Sequence, residues 1–501
     1  MMNVNQCDQP WFELQLQYDE LVRCCCYFLG PEDRWDGQSP FSVPEAWNSP
    51  IMRLKRRVVA SGDERNSGCQ GCQALRYGTG SRFGNMPAGL NARQRTNWER
   101  AQANFDARRE VVDSWPVKYY MNFGLACNID CIMCTQTPDR RKDKRQLSAA
   151  RLLEMRETMS MANEFAIIGG EPFSVRNARE FIEAVLADPI FADVLLTLYT
   201  NGTLLHRHLD QLTAQRRVSI TVSLDSIGDT YEYIRRLGRW KVVEKNILDF
   251  KETGARCGLE WGVHIACVVM KSSVANLVPF VDWCIANDCP VHFVPMQTMT
   301  AAGLDTDAED FFRFPQLLGE IPGWRDSFDE AIAKLERKGW RGAGAGALSQ
   351  LKSELEAGWQ RWEQEQGAHT ATPPSPAAEE PRSASDLPSP PVVDSATVDA
   401  ELLAGSLSST SLDLIRQRIA RLLNRDAGVE AQEIDDAVQV LLRLLGSQDA
   451  ARVLESGAIP AALEPLLIVY MGAVWRLGDP SLAARMEQLY GAVSSRAEAR
   501  L

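Results

Sequence analysis

Beyond residue 117 the chain alternates short apolar runs with longer stretches of helical periodicity. The runs, rich in β-branched and aromatic residues, predict strands at 118–125, 165–169, 194–199, 218–224, 262–270 and 291–295. Between them LSAARLLEMRETMSMA, NAREFIEAVLAD, VVEKNILDFKETG and VANLVPFVDWCIAN repeat apolar residues at three- and four-residue intervals, as amphipathic helices do. Six strand–helix repeats predict an α/β fold, a parallel sheet curled into a partial (β/α)6 barrel of the TIM type. In such sheets chemistry gathers on the loops at the C-terminal ends of the strands.

The flanks have a different texture. Residues 1–90 are short, strand-like and broken by Gly and Pro, with WFELQLQ alternating as a half-buried strand, and are read as a Cys-rich auxiliary domain. Residues 91–116 read as a polar connecting helix, and 117–300 as the barrel. A helical extension follows at 301–366, with Trp324, Trp340, Trp359 and Trp362 as packing residues. Residues 367–398 form a Pro/Ser-rich linker that cannot bury a core, and 399–501 a small helical domain.

Composition narrows the class. The 501 residues exceed what one core holds at roughly 150 per domain, and 45% hydrophobic with 24% charged is ordinary for a globular chain. A net charge of −12 argues against a nucleic-acid partner held by bulk charge. No apolar run reaches the ~20 residues a bilayer needs, and the first residues lack the basic-then-apolar pattern of a signal peptide. The expectation is a cytoplasmic protein with neither nucleic acid nor membrane as partner. Thirteen cysteines in that setting point to metal or catalysis rather than disulfides. Cys257, Cys267, Cys284 and Cys289 fall in apolar-patterned segments and read as small core residues.

The decisive stretch is YYMNFGLACNIDCIMCTQ, where Cys127, Cys131 and Cys134 follow the first barrel strand as C-x3-C-x2-C. Thiolates are soft ligands for iron or zinc, and three on one loop can share a polynuclear cluster. A structural zinc would call for a fourth ligand nearby, yet no His or Cys occurs between Thr135 and His206. Three ligands leave one metal site for an outside group.

The trio resembles the cluster motif of the radical S-adenosylmethionine (SAM) enzymes. That resemblance implies a [4Fe–4S] cluster on Cys127, Cys131 and Cys134, an oxygen-sensitive group whose open iron chelates SAM. It also implies one-electron cleavage of SAM to a 5′-deoxyadenosyl radical that abstracts hydrogen from a peptide or a small metabolite. Met133 matches the bulky position whose backbone lies against adenine. Gly169, Gly170, Glu171 and Pro172 match the family's GGEP motif at the methionine ammonium, and Thr200, Asn201 and Gly202 match a family turn. Ser223 and Asp225 stand where the family contacts ribose or carboxylate, with Arg235 as a basic residue for that carboxylate. Strand-end capping and surface pairing explain these last residues equally, and Asn276 is read as structural.

The N-terminal segments CDQPWFELQLQYDELVRCCCYF and AWNSPIMRLKRRVVASGDERNSGCQGC resemble a SPASM/twitch auxiliary cluster domain, including a Trp-Asn-Ser helix start. The resemblance implies a second [4Fe–4S] cluster on Cys7, Cys25, Cys69 and Cys72, with Cys24 as the alternative to Cys25. A four-cysteine zinc is the other reading. In better-studied relatives this module follows the barrel; here it precedes it.

The basic run DRRKDKR (139–145), and similarly RLKRR (53–57), read as solvated segments or as docking patches for an acidic electron donor such as flavodoxin or ferredoxin. His206 and His208 read as structural, while for His264 and His292, on barrel strands, the sequence leaves the facing open, with His292 on the last strand as a candidate to line a substrate cavity. Two competing functions stay open: a non-catalytic iron–sulfur or zinc protein that docks a partner, and a radical SAM methyltransferase.

Overall fold

The computed structural model describes residues 6–25, 33–34, 43–62, 82–134, 136–296 and 307–370. Its strands are β1 (Glu13–Gln17), β2 (Leu21–Arg23), β3 (Asp33–Arg34), β4 (Lys118–Asn122), β5 (Asp130–Cys131), β6 (Glu164–Ile168), β7 (Leu195–Thr200), β8 (Arg217–Ser223), β9 (Arg235–Arg236), β10 (Glu260–Val269) and β11 (Val291–Pro295). Nine of them form one open sheet in the order β11-β10-β8-β7-β6-β4-β1-β2-β3, while β5 pairs with β9 apart from it. All six expected barrel strands are present and parallel to their neighbours. The main helices are α1 (Pro50–Ser61), α2 (Ala92–Asp106), α3 (Arg176–Ala187), α4 (Trp240–Arg256), α5 (Leu277–Ala286), α6 (Trp324–Lys338) and α7 (Ala347–Thr370).

Pleating sorts the strands into two faces. On one, Phe165, Ile167, Leu196, Leu198, Val218, Ile220, Val222 and Ile265 are buried with Phe181, Val243, Ile247, Phe250 and Phe280 of the helices. Each such side chain contributes about 1.5–3 kcal/mol of transfer free energy, so the helices cover that face. The other, concave face takes the alternate positions. Registers Tyr199↔Thr221, Thr221↔His264 and Ala266↔His292 set its rows, and polar residues populate it, from the buried Thr221 through the half-buried Tyr199 and His292 to the exposed His264.

Boundaries shift where side chains intervene. β4 ends at Asn122 rather than at 125, because Asn122 Oδ1 accepts the Gly124 N–H at 3.1 Å and Gly124 turns to φ +154. The stretch expected as one helix near 274–287 restarts at Leu277, which places Pro279 in a first turn where its missing N–H costs nothing. The segment 147–162 likewise breaks into two short helices, Ala149–Leu153 and Arg156–Met159. The connecting helix forms as α2 behind a capping box between Asn91 and Gln94. The Trp-Asn-Ser start holds too: Ser49 caps α1 by accepting the Met52 N–H.

The N-terminal strand departs most from expectation. WFELQLQ does form β1, but it pairs in parallel with β4, from Glu13↔Lys118 to Gln17↔Asn122, and extends the barrel sheet. Neighbours on both sides bury even its polar positions Glu13 and Gln15. Glu13 answers with Lys118 at 3.5 Å, and Lys118 reaches Glu164 at 3.3 Å. Burial pulls the Lys118 pKa down, but Glu164 and Glu13 outweigh it and hold the value above the ordinary lysine range. Cys267, Cys284 and Cys289 are buried as expected, whereas Cys257 is exposed at the C-cap of α4, where the apolar pattern ends. No helix among the described residues is long and apolar enough to cross a membrane. The linker after 370 and the C-terminal helical segment lie outside the described residues.

Candidate functional site

The loop after β4 carries Cys127, Cys131 and Cys134, all half-buried. It crosses the C-terminal ends of the parallel strands, and the turns after β6, β7 and β8 hold it. Gly170 N donates to Gly124 O at 2.9 Å and Glu171 N to Ala126 O at 2.8 Å. A Cβ on Gly170 would collide with the carbonyl oxygens of Ala126 and Leu125, and one on Gly169 with Gly124 O and Asn122 Oδ1. Gly169 also sits at φ +137. These glycines admit the cysteine loop itself, a close approach of backbone to backbone.

Glu171 is fully buried. Thr200 Oγ1 donates to its carboxylate at 2.9 Å, and the Asn201 and Phe173 N–H groups donate at 2.7 and 3.3 Å. Burial raises its pKa to about 7 against the pull of those donors. Its side chain thus ties the β6 and β7 turns together, and Pro172 is buried beside it. Asn201 turns the other way: its Nδ2 donates to Asn128 Oδ1 at 2.9 Å and approaches Cys127 Sγ at 3.8 Å.

On the far side β5 pairs with β9 so that Cys131 stands opposite Arg235. Arg235 Nη2 meets Asp225 Oδ2 at 2.7 Å, and Nη1 reaches Cys131 Sγ at 3.6 Å. Asp225, at φ +63, also accepts the Val268 N–H at 2.8 Å. Both charges of this pair are buried, 8% and 0% exposed, so neither is open to solvent. Ser223 lies on the concave face at the end of β8. Met133 packs with Ile132 and Val268 against Ile234, Met270 and Met296.

Burial raises the Cys131 pKa to about 12 against the pull of Arg235, and burial raises that of Cys127 while the Ile129 N–H lowers it. Among the described residues no three His, Cys, Asp or Glu side chains close on a point where a single metal ion would sit. Three sulfurs with N–H donors aimed at two of them fit a negatively charged sulfur cluster, whose anionic sulfurs such donors stabilise.

The sequence left several supporting residues unnoticed. Asn128 and Asn122 brace the loop from within, and Arg140 donates to Ile129 O at 2.7 Å and pairs with Asp130. Only the folded turns bring them together; the Asn next to Cys127 was the one local signal. Asn276 holds the β8 turn through Ser226 Oγ and Ile227 O. RLKRR is only partly a surface patch: Lys55 and Arg56 turn to the inner side of α1 and are buried, Arg56 binding the carbonyls of Pro10, Trp47 and Glu110, while the partly exposed Arg57 pairs with Glu110 at 2.8 Å. His208 stacks on Phe173 at 4.2 Å, and His206 meets Asn246.

The auxiliary ligands are only partly in view, since Cys69 and Cys72 lie outside the described residues. Cys24 is buried in the main core while Cys25 and Cys7 are half-buried against it. β2 runs antiparallel to β1 with Arg23 opposite Gln15, so Cys25 falls at the Glu13 end of the sheet. Cys7 also lies there, close enough to Arg82 to act on its charge, beside Glu13. This is the end opposite the Cys127 loop.

Comparison with known proteins places this geometry. The sequence model of the Radical SAM superfamily matches residues 121–271. GTP 3′,8-cyclase of Paracoccus denitrificans is 26% identical over 231 residues, covering 43% of this chain and 64% of that protein. The molybdenum cofactor biosynthesis protein moc-5 of Caenorhabditis elegans is 25% identical over 230 residues, covering 43% and 35%. The chain thus spans less than two thirds of the length of these curated relatives. Streptococcus suis SuiB bound to S-adenosylmethionine superposes with a TM-score of 0.34 at 14% identity, covering 62% of this chain and 68% of that one. Residues 121–271, which hold the three cysteines and the turns that clasp them, are thus the part of the chain that matches a Radical SAM domain.

Proposed function

We propose that this protein is an enzyme that binds a [4Fe–4S] cluster on Cys127, Cys131 and Cys134 and uses it to cleave SAM. The observation that carries the reading is the placement of three sulfurs at the C-terminal end of β4, with Asn201 and Arg235 directed at two of them. When bound, the cluster and SAM together supply a 5′-deoxyadenosyl radical for hydrogen abstraction. The protein's part is to hold and shield. Gly169, Gly170 and Pro172 bring the β6 turn against the loop, and Ser223 and Met133 border it. Glu171, Thr200, Asp225 and Arg235 fix the turns from behind. Arg235 also stands where it would compensate the negative charge left on Cys131 when its proton is released to solvent on ligation.

In this reading the substrate is a peptide or a small metabolite received on the concave face of the sheet. A second [4Fe–4S] cluster is bound by Cys7 and Cys25, which lie at the opposite end, with Cys69 and Cys72 as its further ligands, and an acidic electron donor docks beside the exposed Lys142 and Lys144.

Anaerobic reconstitution with iron and sulfide, followed by dithionite and SAM, tests this. The expected products are 5′-deoxyadenosine and methionine, and Cys131→Ala is expected to abolish both while retaining the auxiliary iron. A fully loaded protein that never cleaves SAM overturns the reading.

A further inference from the structure

The concave face carries two imidazoles that no part of the cluster site uses. His264 of β10 and His292 of β11 lie on adjacent parallel strands whose register pairs Ala266 with His292. Two residues from Ala266 along the pleat, His264 points to the same side. Gly262 shows where that side opens: a Cβ there would stand 3.7 Å from Ser219 Oγ and 3.9 Å from His264 Nε2, in ordinary contact. The opposite side of these strands, with Val263, Ile265, Cys267 and Phe293, is buried under helices. His264 is exposed and His292 half-buried. His292 shares a row with Ser223, the last residue of β8, and His264 shares one with Thr221 and Tyr199. The pair therefore lies just below the strand ends that carry the cysteine loop.

We propose that His264 and His292 form a paired imidazole site on the substrate-facing wall, gripping a neutral hydrogen-bonding group of the substrate such as a peptide amide or hydroxyl. This rests on the concave face being the substrate chamber of the SAM-cleaving reading above. The chemistry of the wall sets the class. His264 keeps part of its ring in solvent, and partial burial of the rest lowers its pKa; deeper burial lowers that of His292, and His264 adds to the lowering there. Near neutral pH each ring thus offers one donor and one acceptor and no charge. On the strands from β4 to β11 the basic side chains of this face, Lys118 and Arg217, are committed elsewhere, and towards the N-terminal edge Arg82 meets Glu13 at 3.8 Å while Arg23 stands opposite Gln15. Lys118 lies between Glu13 and Glu164, and Arg217 faces Glu260 at 3.8 Å and donates to Asp193 O. A phosphate chain calls for free cations, whereas an amide is matched by neutral rings and the hydroxyls of Thr221 and Tyr199.

The test is NMR on the full, anaerobically reconstituted chain with histidine labelled at Cε1, His264→Gln and His292→Gln assigning the two signals. The probes are N-acetyl-triglycine amide and inorganic tripolyphosphate. The tripeptide is expected to shift both signals saturably and leave His206 and His208 unmoved, and each Gln substitution to weaken its binding about fivefold. Tripolyphosphate is expected to move neither ring. His264→Gln is also expected to raise the titration midpoint of His292. A response to tripolyphosphate alone, or to neither probe, overturns the substrate class, and an unmoved midpoint overturns the pair. Cleavage of SAM by the unmodified protein is scored separately, so failure of that assay overturns the SAM reading and not the imidazole site.

Discussion

Two clamps hold one loop, and they are built from opposite materials. On the β6–β7 side the cysteine loop is held sterically, by glycines that admit its carbonyls, and Glu171 is surrounded by neutral donors. On the β8–β9 side it is held electrostatically, by a buried Asp225–Arg235 pair that also reaches Cys131. Shape fixes the first clamp whatever the charge state of the loop. The second answers directly to charge on a sulfur, so under the proposed function it is the one that responds to metal loading.

The largest effect is expected from Arg235→Met. It strands the Asp225 carboxylate in the interior, a change of about 3–5 kcal/mol, and removes the charge that offsets burial at Cys131. Urea unfolding of the metal-free chain and iron content after reconstitution are both expected to fall, and Asp225→Asn in the same chain to recover part of the stability. Unchanged iron content would mean that this clamp does not respond to charge on the loop.

Glu171→Gln separates the clamps by pH. The folded-state pKa of Glu171 is raised from 4.5 to about 7, so the folded protein keeps a proton that the unfolded chain releases. Stability contributed by that proton is complete below about pH 4.5 and is lost as the pH rises to about 7, by roughly 3 kcal/mol. The variant is expected to lack this decline in melts recorded across the same window. A decline of equal size in both proteins would place its origin elsewhere.

Gly170→Ala tests shape alone. The added methyl meets two backbone carbonyls that cannot rotate away, and overpacking of this kind costs about 1–3 kcal/mol. Thermal unfolding is expected to show that loss with little dependence on pH. A pH-dependent loss would blur the distinction between the clamps.

These contrasts also mark what the sequence made legible. The six barrel strands followed from local pattern, since each carries its own apolar run, and the cysteine loop followed from its spacing. The reason for Gly169 and Gly170 did not, because the carbonyls they accommodate arrive from a loop more than forty residues earlier. The inward turn of Glu171 and Asp225 depends on Thr200, Asn201, Val268 and Arg235, all supplied by other strands. The burial of Arg56 was hidden too: a basic residue within a basic run reads as surface until the carbonyls that satisfy it, those of Pro10 and Trp47, are known. β1 matched its predicted strand but not its partner, for alternation specifies a pleated segment and leaves its neighbour open.

That neighbour has a consequence for how the chain matures. Glu13 pairs with Lys118, about a hundred residues downstream, so during synthesis the first strand waits without its parallel mate until β4 leaves the ribosome. The antiparallel hairpin with β2 forms at once and occupies the opposite edge in the interval. Closing so long a connection is entropically slow, so docking of the N-terminal segment is expected among the last events of assembly, after the strands from β4 onward have found one another.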